Sequence, residues 1–126
     1  MDKNWILSDL EAALVQFEEA LRVAPAGDLI RAGCIQYFEF CFELAWKSIK
    51  HCVAAQGLTD CVSPKGCVRE AFRLGWIDHE EIWLKMLEAR NKMAHTYNAK
   101  AALVIYEALP GFLPEMKGLL VRLQAA

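Results

Sequence analysis

The chain has no apolar run approaching the roughly 18 residues that a membrane-spanning helix needs, and its beginning, MDKNWILSDLEAAL, carries acids where a signal peptide would be basic and then apolar. A cytoplasmic protein without a membrane partner is the expectation. Positive charge is also in short supply. Fourteen Lys and Arg face sixteen Asp and Glu, a formal charge of −2, so a nucleic-acid-coating surface built on many phosphate contacts is excluded and any nucleic-acid role must be local. The five cysteines, Cys34, Cys41, Cys52, Cys61 and Cys67, are odd in number and include no C-x-x-C pair. Neither a disulfide framework nor a zinc site is expected from them, and three read as small core residues of one helix. No stretch alternates apolar and polar residues with the period of a strand, and there is no repeat or low-complexity segment. No metal or organic cofactor is indicated.

What remains is helical. At 126 residues, 56% of them hydrophobic, the chain is of a size for one globular domain, residues 1–126, with its own core. Leu7, Leu10, Leu14, Phe17 and Leu21 step by three and four, and the Ala-Pro-Ala-Gly run at 24–27 ends that helix. Asp28 reads as the N-cap of a long second helix that Gly57 stops. Ser63 followed by Pro64 opens a third, closed by Gly75. Asp78 with Glu81 resembles a capping box for a fourth, running to about His95. A fifth, from Ala99 to Ala126, contains Pro110 and Pro114, which are expected to kink or divide it. The predicted fold class is all-α, an up-and-down bundle of four or five helices.

Two helices carry unusual polar residues. Over 35–50 the second reads IQYFEFCFELAWKSIK, apolar around most of its girth, yet Gln36, Glu39, Glu43, Lys47 and Lys50 share an arc of about 80°. Such a stripe is either a solvated face laced with Glu-to-Lys pairs or one wall of a charged groove. On the fourth helix Arg90 falls among Trp83, Met86, Leu87 and Met93. A guanidinium cannot shed its charge, so it must be paired or face a cleft, with Glu43 or Glu39 the nearest candidates. His95 lies about 140° around the same helix from Arg90. The two would converge if the helix ended or bent near Ala94, or more economically if two copies met along it as a homodimer.

The residues Arg90-Asn91-Lys92-Met93-Ala94-His95 have the R-N-x-x-x-H form of the HEPN superfamily. With Thr96-Tyr97 they complete the R-x4-H-x-Y form of its HepT-like branch. Together with IQYFEFCFELAWKSIK and SPKGCVREAFRLGWIDHEEIWLKMLEARN, they make the chain resemble the nucleotidyltransferase substrate-binding proteins, over nearly its whole length. The resemblance implies a dimeric helical bundle that partners a minimal nucleotidyltransferase in a toxin–antitoxin-like module. It implies a metal-independent endoribonuclease whose cleft gathers Arg90 and His95 from both copies, with Asn91 orienting the histidine or phosphate. Glu43, Lys47 and Lys92 would serve binding, and Tyr97 would be the tyrosine that the partner modifies with AMP. Two alternatives stand beside it: a non-catalytic subunit that binds nucleotide, RNA or another substrate for the nucleotidyltransferase, and a structural adaptor in which Arg90 is an ion-paired core residue and His95 a helix cap.

Overall fold

The computed structural model describes residues 4–58, 60–95 and 98–126, without the side chains of Asn4, Ala94 and His95. Five helices follow one another: α1 (Asn4–Leu21), α2 (Asp28–Ala55), α3 (Pro64–Arg73), α4 (Glu80–His95) and α5 (Ala99–Ala125). Among the described residues there is no strand. None of the helices is long and apolar enough to cross a membrane.

Helix directions follow from the contacts between their ends. The Cys34 thiol near the start of α2 donates to the Ala20 carbonyl at the end of α1, while Trp5 meets His51 edge-on at the other end. Those two helices are therefore antiparallel. Glu18 pairs with Lys117 and Glu11 with Gln124, which sets α1 antiparallel to α5 as well. Asp78, just before α4, binds Arg122 near the end of α5. The result is the expected up-and-down bundle, with α3 as a short bridge from α2 to α4.

Aromatic rings from four helices lock the core. Phe38 of α2 stacks obliquely on Phe17 of α1, Phe42 of its own helix and Phe112 of α5, with centroids 5.4 to 6.4 Å apart. Phe42 continues the seam to Trp83 of α4. All five rings are buried, at separations where aromatic pairs add to the gain from area burial.

Several details differ from the sequence reading. Gly27, at φ 133°, is the N-cap of α2 and makes no side-chain cap bond; Asp28 is the first helical residue and turns its carboxylate to Arg31. A backbone conformation open mainly to glycine displaces the aspartate from the cap. Asp78 does not form a capping box with Glu81, because its carboxylate is taken by the fork of Arg122, a charge-assisted bidentate pair stronger than a cap bond. Ser63, by contrast, caps α3 as expected, accepting from the Gly66 amide.

Pro110 and Pro114 do not divide α5, which is one helix of 27 residues. Four residues apart, they share one exposed face, opposite the buried Phe112 and Met116. The two backbone hydrogen bonds that proline cannot donate fall on that exposed side, where the carbonyls left over are open to solvent rather than to the core. Cys34, Cys41 and Cys52 are buried and take no part in a disulfide, and burial pushes the Cys41 thiol up to about 12. Cys61 and Cys67 overturn the expectation of no disulfide: they are joined, their Cα atoms 5.2 Å apart. The loop before α3 folds Cys61 back onto the first turn of that helix, a proximity that spacing along the chain does not display.

Candidate functional site

Glu43 is the centre of the polar arrangement. Its Oε1 lies 2.5 Å from Arg90 Nη2, so the stripe on α2 and the arginine on α4 do meet. Its Oε2 accepts from the Trp46 indole N–H at 3.1 Å and stands 4.0 Å from the Lys47 ammonium. Trp46 and Lys47 follow Glu43 by three and four residues, the helical neighbours of its own face. The carboxylate is thereby held from two sides before it meets Arg90.

Arg90 is not buried as the helical wheel implies. Its side chain keeps 30% exposure, at the margin of the core formed by Trp83, Met86 and Ala89. Nη1 donates to Asn91 Oδ1 at 3.1 Å. Glu43 at Nη2 and Asn91 at Nη1 thus each engage one terminal nitrogen of the fork, out of five N–H groups that a guanidinium carries. This is a cation oriented by a carboxylate and an amide, with donors remaining at a partly open surface.

Glu39, one turn before Glu43, is half-buried. Burial raises its carboxyl above the ordinary range, against the lowering pull of Arg90, and the nearby Glu43 raises it further. Two carboxylates beside a single guanidinium compete for it, and Glu43 holds the direct contact.

The structure does not unite every expected residue. Lys92 lies about 160° around α4 from Arg90, exposed in a groove between α4 and α5 beside Lys85, Ile105 and Phe112. Asn91 contacts Arg90. His95 ends α4, and its side chain lies outside the described residues, as does all of Tyr97. Asn98 resumes the chain by capping α5, its Oδ1 accepting from the Ala101 amide at 3.1 Å. Among the described residues, no group of three His, Cys, Asp or Glu side chains could hold a metal ion.

Sequence reasoning missed Trp46 as a donor to Glu43. It also missed a cavity of about 460 Å³ near the α4–α5 connection, with Arg31 and Lys100 in its wall. Trp46 three residues after a carboxylate was a readable signal. Arg31 and Lys100 lie 69 residues apart and look like ordinary surface charges until α2 and α5 are packed.

Known proteins share this fold. A sequence model of the family described as nucleotidyltransferase substrate binding protein like matches residues 6–125. A Haemophilus influenzae protein named probable ribonuclease HepT is 32% identical over 127 aligned residues, covering 98% of this chain and 78% of that protein. A solved protein from Thermus thermophilus superposes with a TM-score of 0.84 at 30% identity, over 90% of this chain and 98% of the other. A solved Haemophilus influenzae protein, described as revealing the fold of a substrate binding domain of a nucleotidyltransferase, gives 0.80 at 29% identity, over 94% and 98%. With its helical bundle, its R-x4-H-x-Y string and a match along almost its entire length, this chain belongs to the nucleotidyltransferase substrate-binding protein family, the HepT-like branch of the HEPN superfamily.

Proposed function

We propose that the protein is a metal-independent endoribonuclease acting as a homodimer, with Arg90 and His95 as its reacting groups and a minimal nucleotidyltransferase as its partner. The observation that carries this reading is the Arg90 guanidinium, held by Glu43 and Asn91 yet left partly open, five residues before a histidine. A planar fork in that state suits a phosphodiester whose charge is about to grow. The relative named probable ribonuclease HepT supports the same reading.

The chemistry needs only these side chains and RNA. His95, an imidazole of the kind that gives and takes protons near neutral pH, takes the proton of a ribose 2′-hydroxyl. The 2′-oxygen bonds to the adjacent phosphorus, the bond from phosphorus to the 5′-oxygen breaks, and an imidazolium returns a proton to the leaving oxygen. Arg90 stabilises the charge on the non-bridging oxygens, and Glu43 and Asn91 are positioning residues that act through it. Because Arg90 and His95 diverge around one helix, two copies brought together along α4 complete the site. Exposed apolar residues on α2, Leu29 and Phe40, support such an association. Lys47, next to Glu43, serves as a phosphate contact at the rim, whereas Lys92, on the far side of α4, would meet RNA only beyond that cleft; AMP on Tyr97 would add negative charge that opposes RNA binding.

The product ends test the mechanism. Cleavage in the presence of EDTA is expected to leave 2′,3′-cyclic phosphate and 5′-hydroxyl ends; 3′-hydroxyl and 5′-phosphate ends contradict it.

A second reading is favoured by the solved relative described as a nucleotidyltransferase substrate binding domain and by the near balance of charge. The protein then holds substrate for its partner without cutting it. Stable co-purification with a nucleotidyltransferase, no RNA cleavage by the folded dimer, and loss of nucleotidyl transfer when Arg90 is replaced are the results it requires.

A further inference from the structure

One helical turn from Glu43, the first three turns of α2 and the first turn of α5 line the open cavity of about 460 Å³, with Met93 of α4 among its lining residues. We propose that this cavity binds one nucleoside 5′-phosphate unit, its phosphate between Arg31 and Lys100 and its base toward Gln36 and Glu39. The proposal rests on the nucleic-acid reading above and names the subsite which that reading leaves open.

Three features of the cavity point the same way. Its volume falls within the range of small-molecule sites, roughly 300 to 1,000 Å³. Ile35, Met93, Ala102 and Leu103 give it an apolar lining suited to the faces of a base and a ribose. Arg31 and Lys100 lie at the end where α5 begins, so two cations and the positive end of a 27-residue helix act together on an anion. The Arg31 Nε is buried and has no hydrogen-bond partner, although its Nη1 contacts Asp28 at 3.3 Å. Buried as it is, that nitrogen is out of a ligand's reach here, so a phosphate would be met by the terminal N–H groups of the fork, of which Asp28 takes one.

Polarity along α2 sets the orientation. Arg31 and Glu39 are eight residues apart, about 12 Å along the helix, long enough to separate a phosphate from its base. Gln36, an exposed amide, both donates and accepts, and the Glu39 carboxyl adds an acceptor, as the edge of a base requires. Glu39 also feels Arg90, so a nucleotide lodged here would have its base end near the groups proposed to cut the chain. Asp28 and Glu39 offset the two cations, so binding depends on the apolar lining as well as on charge.

Isothermal titration of the folded full-length protein with 5′-AMP at low salt tests this. Wild type is expected to bind. Arg31→Ala and Lys100→Ala should each weaken binding about tenfold, the scale of one charge-assisted hydrogen bond. Leu103→Trp, at a position 43% exposed and so able to carry a larger side chain, should fill the cavity and abolish binding. Inorganic phosphate at equal concentration should not displace AMP. Competition by a 5′-phosphorylated oligoribonucleotide at lower concentration than AMP identifies an RNA end as the source; absence of competition identifies free nucleotide. No binding by wild type overturns the proposal, as does binding that Arg31→Ala, Lys100→Ala and Leu103→Trp leave unchanged. Cleavage is read separately. Loss of AMP binding with RNA cleavage intact removes this subsite alone, and AMP binding without any cleavage removes the ribonuclease reading alone.

Discussion

At the residue scale, Glu43 shows how one side chain serves both fold and site. It links α2 to α4 through Arg90, but the pair is a third exposed, so its stabilising effect is about 1 kcal/mol or less and not the several of a fully buried pair. Glu43→Gln should therefore lower stability only slightly by thermal unfolding, while RNA cleavage falls by roughly tenfold to a hundredfold as Arg90 loses its orientation. Parallel small losses of stability and activity would deny Glu43 a positioning role. Ser48 makes the opposite case. It is fully buried in α2, and its hydroxyl has no hydrogen-bond partner, a penalty of about 1 to 3 kcal/mol in proteins. Ser48→Ala should raise stability by about 1 kcal/mol, seen as a higher denaturant midpoint with an unchanged slope.

Among the elements, α3 is the clearest local prediction and the least expected tertiary one. Ser63-Pro64 and Gly75 mark its ends in the sequence, and both ends are found there, with Gly75 at φ 78°. The Cys61–Cys67 bond at its start was not legible. An odd cysteine count argued against pairing, and only the fold of the preceding loop brings the two sulfurs together. Alkylation of the denatured, unreduced protein should label three of its five cysteines, rising to five after reduction; five labels without reductant would contradict the bond. The site divides in the same way. Arg90 and Glu43 were legible because helical periodicity fixes each on its own helix, and a charge among core residues needs a partner. The partial exposure of Arg90 was not, since it depends on how α4 sits against α2. Asp28 and Asp78 failed as caps for different reasons: the backbone of Gly27 took the cap position before Asp28, and a tertiary partner, Arg122, took the carboxylate of Asp78.

For the whole molecule, acid carboxylates tie distant helices together. Hydrogen bonding from Arg122 holds the Asp78 carboxyl below its ordinary 3.8, and Lys117 does the same for Glu18, joining α4 and α1 to α5. A carboxyl lowered in the folded state contributes stability that is present above its unfolded value and lost as pH falls through its folded one. Glu39 runs the other way: burial raises it, so its ionised form opposes folding above its raised value, and protonation relieves that strain. The denaturant midpoint should fall below about pH 4, with Asp78→Asn flattening the fall. Glu39→Gln should raise the midpoint at neutral pH but not below about pH 4. A midpoint independent of acid pH would contradict these pairings.

The same long-range assembly brings α2, α4 and the start of α5 to one end of the bundle, where the proposed chemistry resides. Its most direct test is the cleavage of a mixed RNA pool by wild-type protein and by His95→Ala, without divalent metal and at low salt, with both proteins verified as equally folded. Cleavage by wild type, reduced at least about a hundredfold in the variant, is the predicted result. Equal cleavage by both proteins, or none by the folded wild type, would contradict it.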